Sequence, residues 1–445
     1  MSTRGLYRVY RWLQRVVRWS RRRFTPVGGF VLAGLLLAGG ASNPEQTLGL
    51  PVFLLLGALL ALAVGMAPFF RFRFAVERQI PRFVTAGEPF ALRVRIHNLT
   101  RKLQRGLEYA EDLREPWLTG DEFAARLRPG RENQSFRLGA GLPTIRPARS
   151  RPVALPVMPP LGWVEVQVEL LAWRRGPLEL AGGMVLRTDP FGLFRAIARL
   201  KAPQTVLVLP KRYPLPPLSL PGQSHYQRGG VAFAAGVGET EEFVALRDYR
   251  RGDSLRRVHW RSAARLGELV VKEFQDEYLV RHALVLDTFC EPSRDGLFEE
   301  AVAVAASFAC TVPDQESLLD LMFVAPQTVC LTRGRGVGHA QQMLEVLAAV
   351  KPLRRPHLQP LEALLVEHRV SLSGCLLVLL DWDEPRRALV RRLKSLQLPV
   401  WVLLLVPAGT VSAFAGGPAE DQPDRILLLE AGRVREGLSQ LEAWR

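Results

Sequence analysis

A chain of 445 residues is long enough for two or three domains with cores of their own. Its net charge of +16 invites a nucleic-acid reading, but eight arginines and no acid stand in residues 1–23, so half of the excess precedes the first apolar run, and no DNA- or RNA-binding module follows. Cys290, Cys310, Cys330 and Cys375 sit in apolar settings without metal-ligand spacing, so they are expected to be reduced core thiols of a cytosolic domain.

In chain order, residues 1–23 form a basic amphipathic segment. Arg4, Arg8, Arg11, Arg15, Arg18 and Arg22 keep helical spacing on one face, and Leu6, Val9, Tyr10, Leu13, Val16 and Val17 line another, which suits the surface of an anionic leaflet. Residues 24–70 hold two apolar runs, 24–41 and 47–70, split by Ser42-Asn43-Pro44-Glu45-Gln46. A spanning helix needs about 20 apolar residues, so the expectation is a two-helix transmembrane hairpin. Arginines flank both outer ends, which puts both termini on the cytoplasmic side.

Residues 74–205 change to alternation. Strands are expected at Phe90 to Ile96, Val153 to Val157, Val164 to Val168 and Leu178 to Leu186, separated by Gly and Pro turns. The reading is an all-β domain, an immunoglobulin-like sandwich, with a barrel as the open alternative. Within it, Asp189-Pro190-Phe191-Gly192-Leu193-Phe194 looks like a structural turn with two aromatic plugs. Residues 206–237 are a Pro/Gly-rich connection, where Tyr213, His225 and Tyr226 read as surface loop residues.

The densest stretch is residues 238–277, where acids and arginines alternate around Phe243, Leu246, Tyr249, Trp260 and Phe274. Asp253 is placed to cap a helix from Ser254 to about Arg265, on which Arg257, Arg261 and Arg265 share a face; Gly267 ends it and a strand follows from Leu269 to Phe274. Two readings stay open: a docking surface or anion site, or a structural network of those arginines with Glu239, Glu241, Glu242 and Asp248.

This stretch resembles a known family. Glu242-Phe243, Leu246-Arg247-Asp248-Tyr249, Gly252-Asp253, Arg256-Arg257, His259-Trp260 and Ser262-Ala263-Ala264-Arg265 are similar to the core motif of the "domain of unknown function 58" family. Leaving out His259, Ala263 and Ala264 and adding Arg261, these residues are the candidate partner-docking or motif-core set. The resemblance implies two N-terminal membrane helices, a β-rich domain and a von Willebrand factor A-like domain. It also implies partners: a MoxR-type AAA+ ATPase and a transglutaminase-like membrane protein.

Residues 278–445 alternate strand and helix. Strands are expected at Ala283 to Leu286, Leu318 to Val324, Leu376 to Leu380 and Val400 to Val406, with helices at Phe298 to Phe308 and near 339–350, 361–368 and 386–396. That order argues an α/β doubly wound sheet, in agreement with the von Willebrand A-like domain that the resemblance implies.

In such a domain a metal-ion-dependent adhesion site follows the first strand as Asp-x-Ser-x-Ser. Here the run is Asp287-Thr288-Phe289-Cys290-Glu291, and both serines are replaced. Asp287 and Asp381 are therefore the metal candidates, for Mg²⁺, with Asp383, Thr288, Glu291 and Ser293 as further oxygens; solvated loop carboxylates are the competing reading. Gly334, Gly336 and Gly338 form a glycine string without a phosphate-loop lysine. No nucleophile–base pair or zinc spacing stands out, so no catalytic residue is assigned. The expected protein is a multi-pass membrane scaffold, non-enzymatic, with cytoplasmic domains, working with the ATPase in assembly or chaperone-like maturation. The alternative is a divalent-cation-dependent adhesion or ligand-binding module.

Overall fold

The structure, a computed structural model, describes residues 3–41, 49–70, 73–114, 120, 147–216, 220, 242–275, 280–291, 294–311, 317–325, 327–333, 337–354, 357–410 and 423–444. The chain divides into two compact units, Met1–Leu209 and Pro210–Arg445.

The first unit opens with three helices, α1 (Thr3–Arg23), α2 (Pro26–Ala41) and α3 (Gly49–Met66). Gly39 lies against Phe53, Gly34 against Leu56 and Gly57 against Leu35. Positions rise along one helix as they fall along the other, so α2 and α3 are antiparallel, and glycines let them approach closely. The apolar helix Gly49–Phe69 is long enough to cross a membrane; the apolar part of α2, Pro26–Gly39, is shorter.

The strands that follow are β1 (Phe74–Gln79), β2 (Phe83–Thr85), β3 (Pro89–Asn98), β4 (Leu107–Leu113), β5 (Ala148–Ser150), β6 (Val153–Ala154), β7 (Trp163–Ala172), β8 (Gly176–Thr188) and β9 (Arg195–Leu209). They form two sheets, in the orders β1-β3-β7-β5 and β2-β9-β8-β4-β6. Alternate residues from both sheets, among them Leu92, Val94 and Val168 from one and Tyr109, Val185 and Val206 from the other, close a single core. Of the expected Val153–Val157 run, only the first two residues are strand, as β6, and β9 extends to Leu209 into the expected connection.

A buried polar network crosses this core. Arg78 donates to Glu111 at 2.7 Å with both side chains fully buried, and the Tyr109 hydroxyl donates to the other oxygen of Glu111 at 2.7 Å. A Cβ at position 183 would collide with the Tyr109 ring and hydroxyl, which accounts for Gly183 opposite them.

In the second unit, β10 (Glu242–Asp248) and β11 (Val270–Gln275) pair as an antiparallel ribbon enclosing the short helix α4 (Trp260–Leu266). Next come β12 (Val280–Leu286), α5 (Asp295–Thr311), β13 (Ser317–Val324), β14 (Thr328–Arg333), α6 (Val337–Ala349), α7 (Gln359–His368), β15 (Gly374–Leu379), α8 (Glu384–Ser395), β16 (Val400–Val406), β17 (Arg425–Glu430) and α9 (Val434–Ser439).

Strands β12 to β17 make one sheet in the order β14-β13-β12-β15-β16-β17, parallel except for the edge strand β14. Strands β15 and β16 are buried at every residue, as expected where helices cover both faces. Ala283, Val285, Leu377 and Val402 face a cluster with Leu361 and Leu365 of α7 and Leu389 and Leu393 of α8. The intervening Leu284, Leu286, Leu376 and Val378 are equally buried, and α5 packs on that side against β12, β15 and β16. Strand order reverses between β12 and β15, so the crevice outside their carboxyl ends is where such a sheet places a site.

Candidate functional site

The motif ribbon is built on a small core of Val258, Ala263 and Val271, with Tyr249 packed against it. The expected continuous helix from Ser254 to Arg265 is interrupted. Leu255–Arg257 is a single 3₁₀ turn, Val258 returns to an extended conformation and bridges Val271, and His259 donates its backbone N–H to Val270 O at 2.8 Å. Pairing with β11 wins over helix propagation here because it buries Val258.

Helix α4 then starts at Trp260 and ends at Gly267, whose φ of +75° forms the left-handed cap. Arg261 and Arg265 share a face of α4, but Arg257 stands before the break, and its side chain lies outside the described residues.

Asp253 caps neither segment. It forms a forked pair with Arg247, at 2.7 and 2.8 Å, and accepts the backbone N–H of Arg250 at 2.8 Å, closing the turn that Gly252 makes at φ +114°. These bonds to the charged form hold its carboxyl down at about 2. Ser262 and the His259 ring nitrogen lie 2.7 Å apart. The expected partners Glu239 and Glu241 fall outside the described residues, as do the side chains of Glu242 and Phe243. Among the described residues, Asp248, Arg261 and Arg265 form no ion pair. What the ribbon does present to solvent is apolar and basic together: Leu255, Trp260 and Leu266 are 60%, 63% and 68% exposed, beside exposed Arg256, Arg261 and Arg265.

At the carboxyl edge of β12, Asp287 is not the solvated loop carboxylate of the competing reading. Asp287 is fully buried, and Arg386 of α8 reaches it: Nε donates to Asp287 Oδ2 at 2.6 Å, Nη2 to Phe289 O at 3.0 Å, and Nη1 to Asp383 Oδ2 at 2.6 Å. The backbone N–H groups of Phe289 and Leu380 also donate to the Asp287 carboxylate, at 2.9 and 3.1 Å. A guanidinium therefore occupies the place where a cation would neutralise Asp287. Burial pushes that carboxyl up, against the pull of Arg386 and the two N–H donors, while the two carboxylates keep Arg386 charged.

Asp381 has its own partner, Arg294, at 3.0 Å on the surface. Thr288 spends its hydroxyl on Val324 O at 2.6 Å. Among the described residues no group of three His, Cys, Asp or Glu side chains is placed to hold a metal ion. Asp383 also caps α8 by accepting the Arg386 N–H, a role that the Asp-Glu-Pro run at 383–385 signals. The basic residue three places on was the part that sequence reasoning missed.

Two further expectations change. Tyr213 is buried rather than a surface loop residue: its N–H donates to Ser307 at 2.7 Å and its hydroxyl to Glu300. His225 and Tyr226 lie outside the described residues, as do Gly334 and Gly336. In the 189–194 turn, Asp189 accepts three backbone N–H bonds, from Phe191, Leu193 and Phe194. Only one of its two aromatics is a plug. Phe194 is buried with Leu193 against Phe24, Val31, Leu59, Ala63 and Ala67 at the base of α2 and α3, whereas Phe191 is 46% exposed.

Comparison with known proteins places the motif. Residues 245–394 match the family described as "Protein of unknown function DUF58". The matched segment takes in most of the motif ribbon and the sheet as far as α8, so the resemblance carried by the motif residues holds. A curated relative, the uncharacterized protein YeaD of Bacillus subtilis (strain 168), is 26% identical over 184 residues, 40% of this chain and 44% of its own length. The chain thus spans under half of that relative. Among solved structures, the SpRpn10 VWA domain is 11% identical over 36% of this chain and 97% of its own, with a TM-score of 0.24. A superoxide reductase (neelaredoxin) from Ignicoccus hospitalis is 18% identical over 31% and 88%, with a TM-score of 0.12.

Proposed function

We propose that this DUF58 protein is a membrane-anchored, non-enzymatic interaction scaffold whose motif ribbon is the docking face. The observation that carries the reading is the exposed set Leu255, Trp260 and Leu266 among Arg256, Arg261 and Arg265. Tryptophan and arginine are the residues that dominate binding energy at protein interfaces, and a tryptophan held on a seven-residue helix by a packed ribbon is pre-ordered for that role. The partner in this proposal is a MoxR-type AAA+ ATPase, with a transglutaminase-like membrane protein in the same assembly, and the role is assembly or chaperone-like maturation of other proteins. The family resemblance is what supports these partners. The cation-dependent adhesion reading finds no open position at Asp287, which Arg386 fills.

The proposal includes α2 and α3 crossing the bilayer as a hairpin, an immunoglobulin-like assignment for the two-sheet domain, and a von Willebrand A-like assignment for the C-terminal sheet, supported by its strand order with an antiparallel edge. Both domains lie on the cytoplasmic side. Arginines before α2 support that orientation.

The test is capture of the ATPase by detergent-solubilised full chain, with and without ATP. Trp260→Ala together with Arg261→Glu is expected to lower capture at least about tenfold, since a hot-spot tryptophan contributes roughly 2 kcal/mol or more. The unfolding midpoint should stay unchanged, because neither side chain belongs to the ribbon core. Undiminished capture by the folded variant would remove the docking assignment.

A further inference from the structure

One end of the β domain turns leucines outward from its loops. Between β3 and β4 the chain exposes Leu99 and Leu103, between β6 and β7 it exposes Val157 and Leu161, and Trp163 stands exposed where β7 begins. Leu161 is 66% exposed and sits at φ +54°, a left-handed conformation that glycine or asparagine adopts more readily than leucine. A merely solvated loop has no need of an apolar side chain held there against backbone preference.

The two loops are built as one rigid tip. The buried Asn98 side chain holds both: its Oδ1 accepts the Thr100 N–H at 3.0 Å, and its Nδ2 donates to Lys102 O at 3.0 Å and to Pro159 O at 2.9 Å. The Leu161 N–H donates to Thr100 O at 3.0 Å, and Gln104 and Met158 exchange backbone bonds at 3.0 Å. The leucines are therefore fixed in place before any contact is made. Neither loop, 99–106 or 155–162, contains an acid, and Arg101, Lys102 and Arg105 stand exposed among the apolar residues.

Two connections set where this tip lies. The Leu99 N–H donates to Arg73 O at 2.9 Å and Phe74 pairs with Asn98, so the tip adjoins the strand that follows the apolar helix Gly49–Phe69. The four steps of chain from Phe69 to Arg73 span at most about 14 Å. The 189–194 turn, seated on Thr25 and Gly28 at the start of α2, is at the same end of the domain: β4 begins at Leu107 beside Arg187, and Leu107 O accepts the Leu155 N–H at 2.8 Å.

We infer that this tip rests in the headgroup layer of the anionic leaflet from which α3 emerges. Leu99, Leu103 and Leu161 enter the apolar boundary, Trp163 lies at the interface, and the three basic side chains meet lipid phosphates. A lipid surface is the occupant because the short tether keeps the tip within reach of the bilayer whatever other proteins are present, and because its basic rim complements an anionic leaflet. The inference rests on the membrane-anchored reading above and adds a second attachment, which orients the β domain against the bilayer.

The experiment places a photocross-linker by Leu161→p-benzoylphenylalanine, with Glu88→p-benzoylphenylalanine at the other end of β3 as control, in full chain reconstituted into nanodiscs of equal phosphatidylglycerol and phosphatidylcholine. After irradiation, mass spectrometry is expected to find lipid adducts at position 161, mostly phosphatidylglycerol, and none above background at position 88. Arg101→Gln, Lys102→Gln and Arg105→Gln together should return the adducts toward the composition of the disc, since each basic group near an anionic surface contributes roughly a fivefold preference. Equal labelling at the two positions, or a phosphatidylglycerol excess untouched by the triple variant, overturns the inference. So do cross-links from position 161 to a second copy or to another protein, in place of lipid, when the same probe is used in native membranes. Alkaline extraction of the full chain tests the anchor separately: release sinks the membrane reading, whereas a retained chain without lipid at position 161 overturns the loop contact alone.

Discussion

Among the described residues of the motif, Arg247 and Asp253 form a pair whose geometry sets the chemistry of the acid. A forked guanidinium bond and a backbone N–H all favour the ionised carboxylate, so the Asp253 pKa falls to about 2 from an ordinary value near 4. A depressed acid pKa means that the pair contributes stability above the unfolded-state value, and that this contribution fades as pH falls from about 4 through 2. Arg247→Gln is expected to return the Asp253 titration toward the ordinary range, observed by carboxyl carbon NMR, and to flatten the acid limb of the ribbon's unfolding curve. A titration unchanged by the substitution would mean that the fork is not what holds the proton off. The motif's alternating charges announced such a pair; which acid would take which arginine depended on the turn at Gly252, which only the folded chain reveals.

At the scale of elements, the 189–194 turn explains how a β domain is fixed to apolar helices. Asp189 locks the turn through three N–H bonds, and the turn then offers carbonyls outward: the Thr25 N–H donates to Leu193 O at 3.1 Å and its hydroxyl to Gly192 O. Gly28 follows one turn later on α2, where a Cβ would collide with the carbonyl of Leu193. No side chain fits there without moving backbone.

Gly28→Ala is therefore expected to separate α2 from the turn, costing about 1–3 kcal/mol as overpacking does, and to raise hydrogen exchange at Leu193 and Phe194 while the sheets keep their protection. An alanine variant with native exchange at those amides would show that the contact carries no weight. The turn could be recognised in the sequence from its Asp-Pro and Gly, but its seat could not. Thr25 and Leu193 stand 168 positions apart, and a glycine in an apolar run looks like any other. The motif helix failed for a related reason. Helix propensity and an acidic cap favoured one continuous element, and a single valine with a β partner broke it.

Across the whole molecule, the pattern of the C-terminal unit was legible where both faces of a strand are apolar. Val400–Val406 was expected at those bounds and found there. Edge strands were missed: β14 and β17 mix polar and apolar residues because one side meets water, and their identity comes from pairing with β13 and β16. The reversal of strand order between β12 and β15 is also what makes the Asp287 site. It brings an aspartate and an arginine 99 positions apart within 2.6 Å, under a sheet edge that excludes water.

A pair so placed is costly to form and worse to break. Arg386→Met leaves Asp287 and its two N–H donors facing an uncompensated buried charge, so the C-terminal unit of the full chain should lose about 3–5 kcal/mol, read by hydrogen exchange at β12 and β15 in denaturant. Adding Asp287→Asn should recover part of that loss, because the neutral amide oxygen still accepts the N–H bonds of Phe289 and Leu380 while the buried charge is gone. Mg²⁺ is the decisive addition to the single variant. Asp287 and Asp383 alone lack the six oxygens of a hard-cation site, so the ion should not restore stability. Restoration by millimolar Mg²⁺ would show that Arg386 occupies a working metal position, and would return the cation-dependent reading to the C-terminal edge of the sheet.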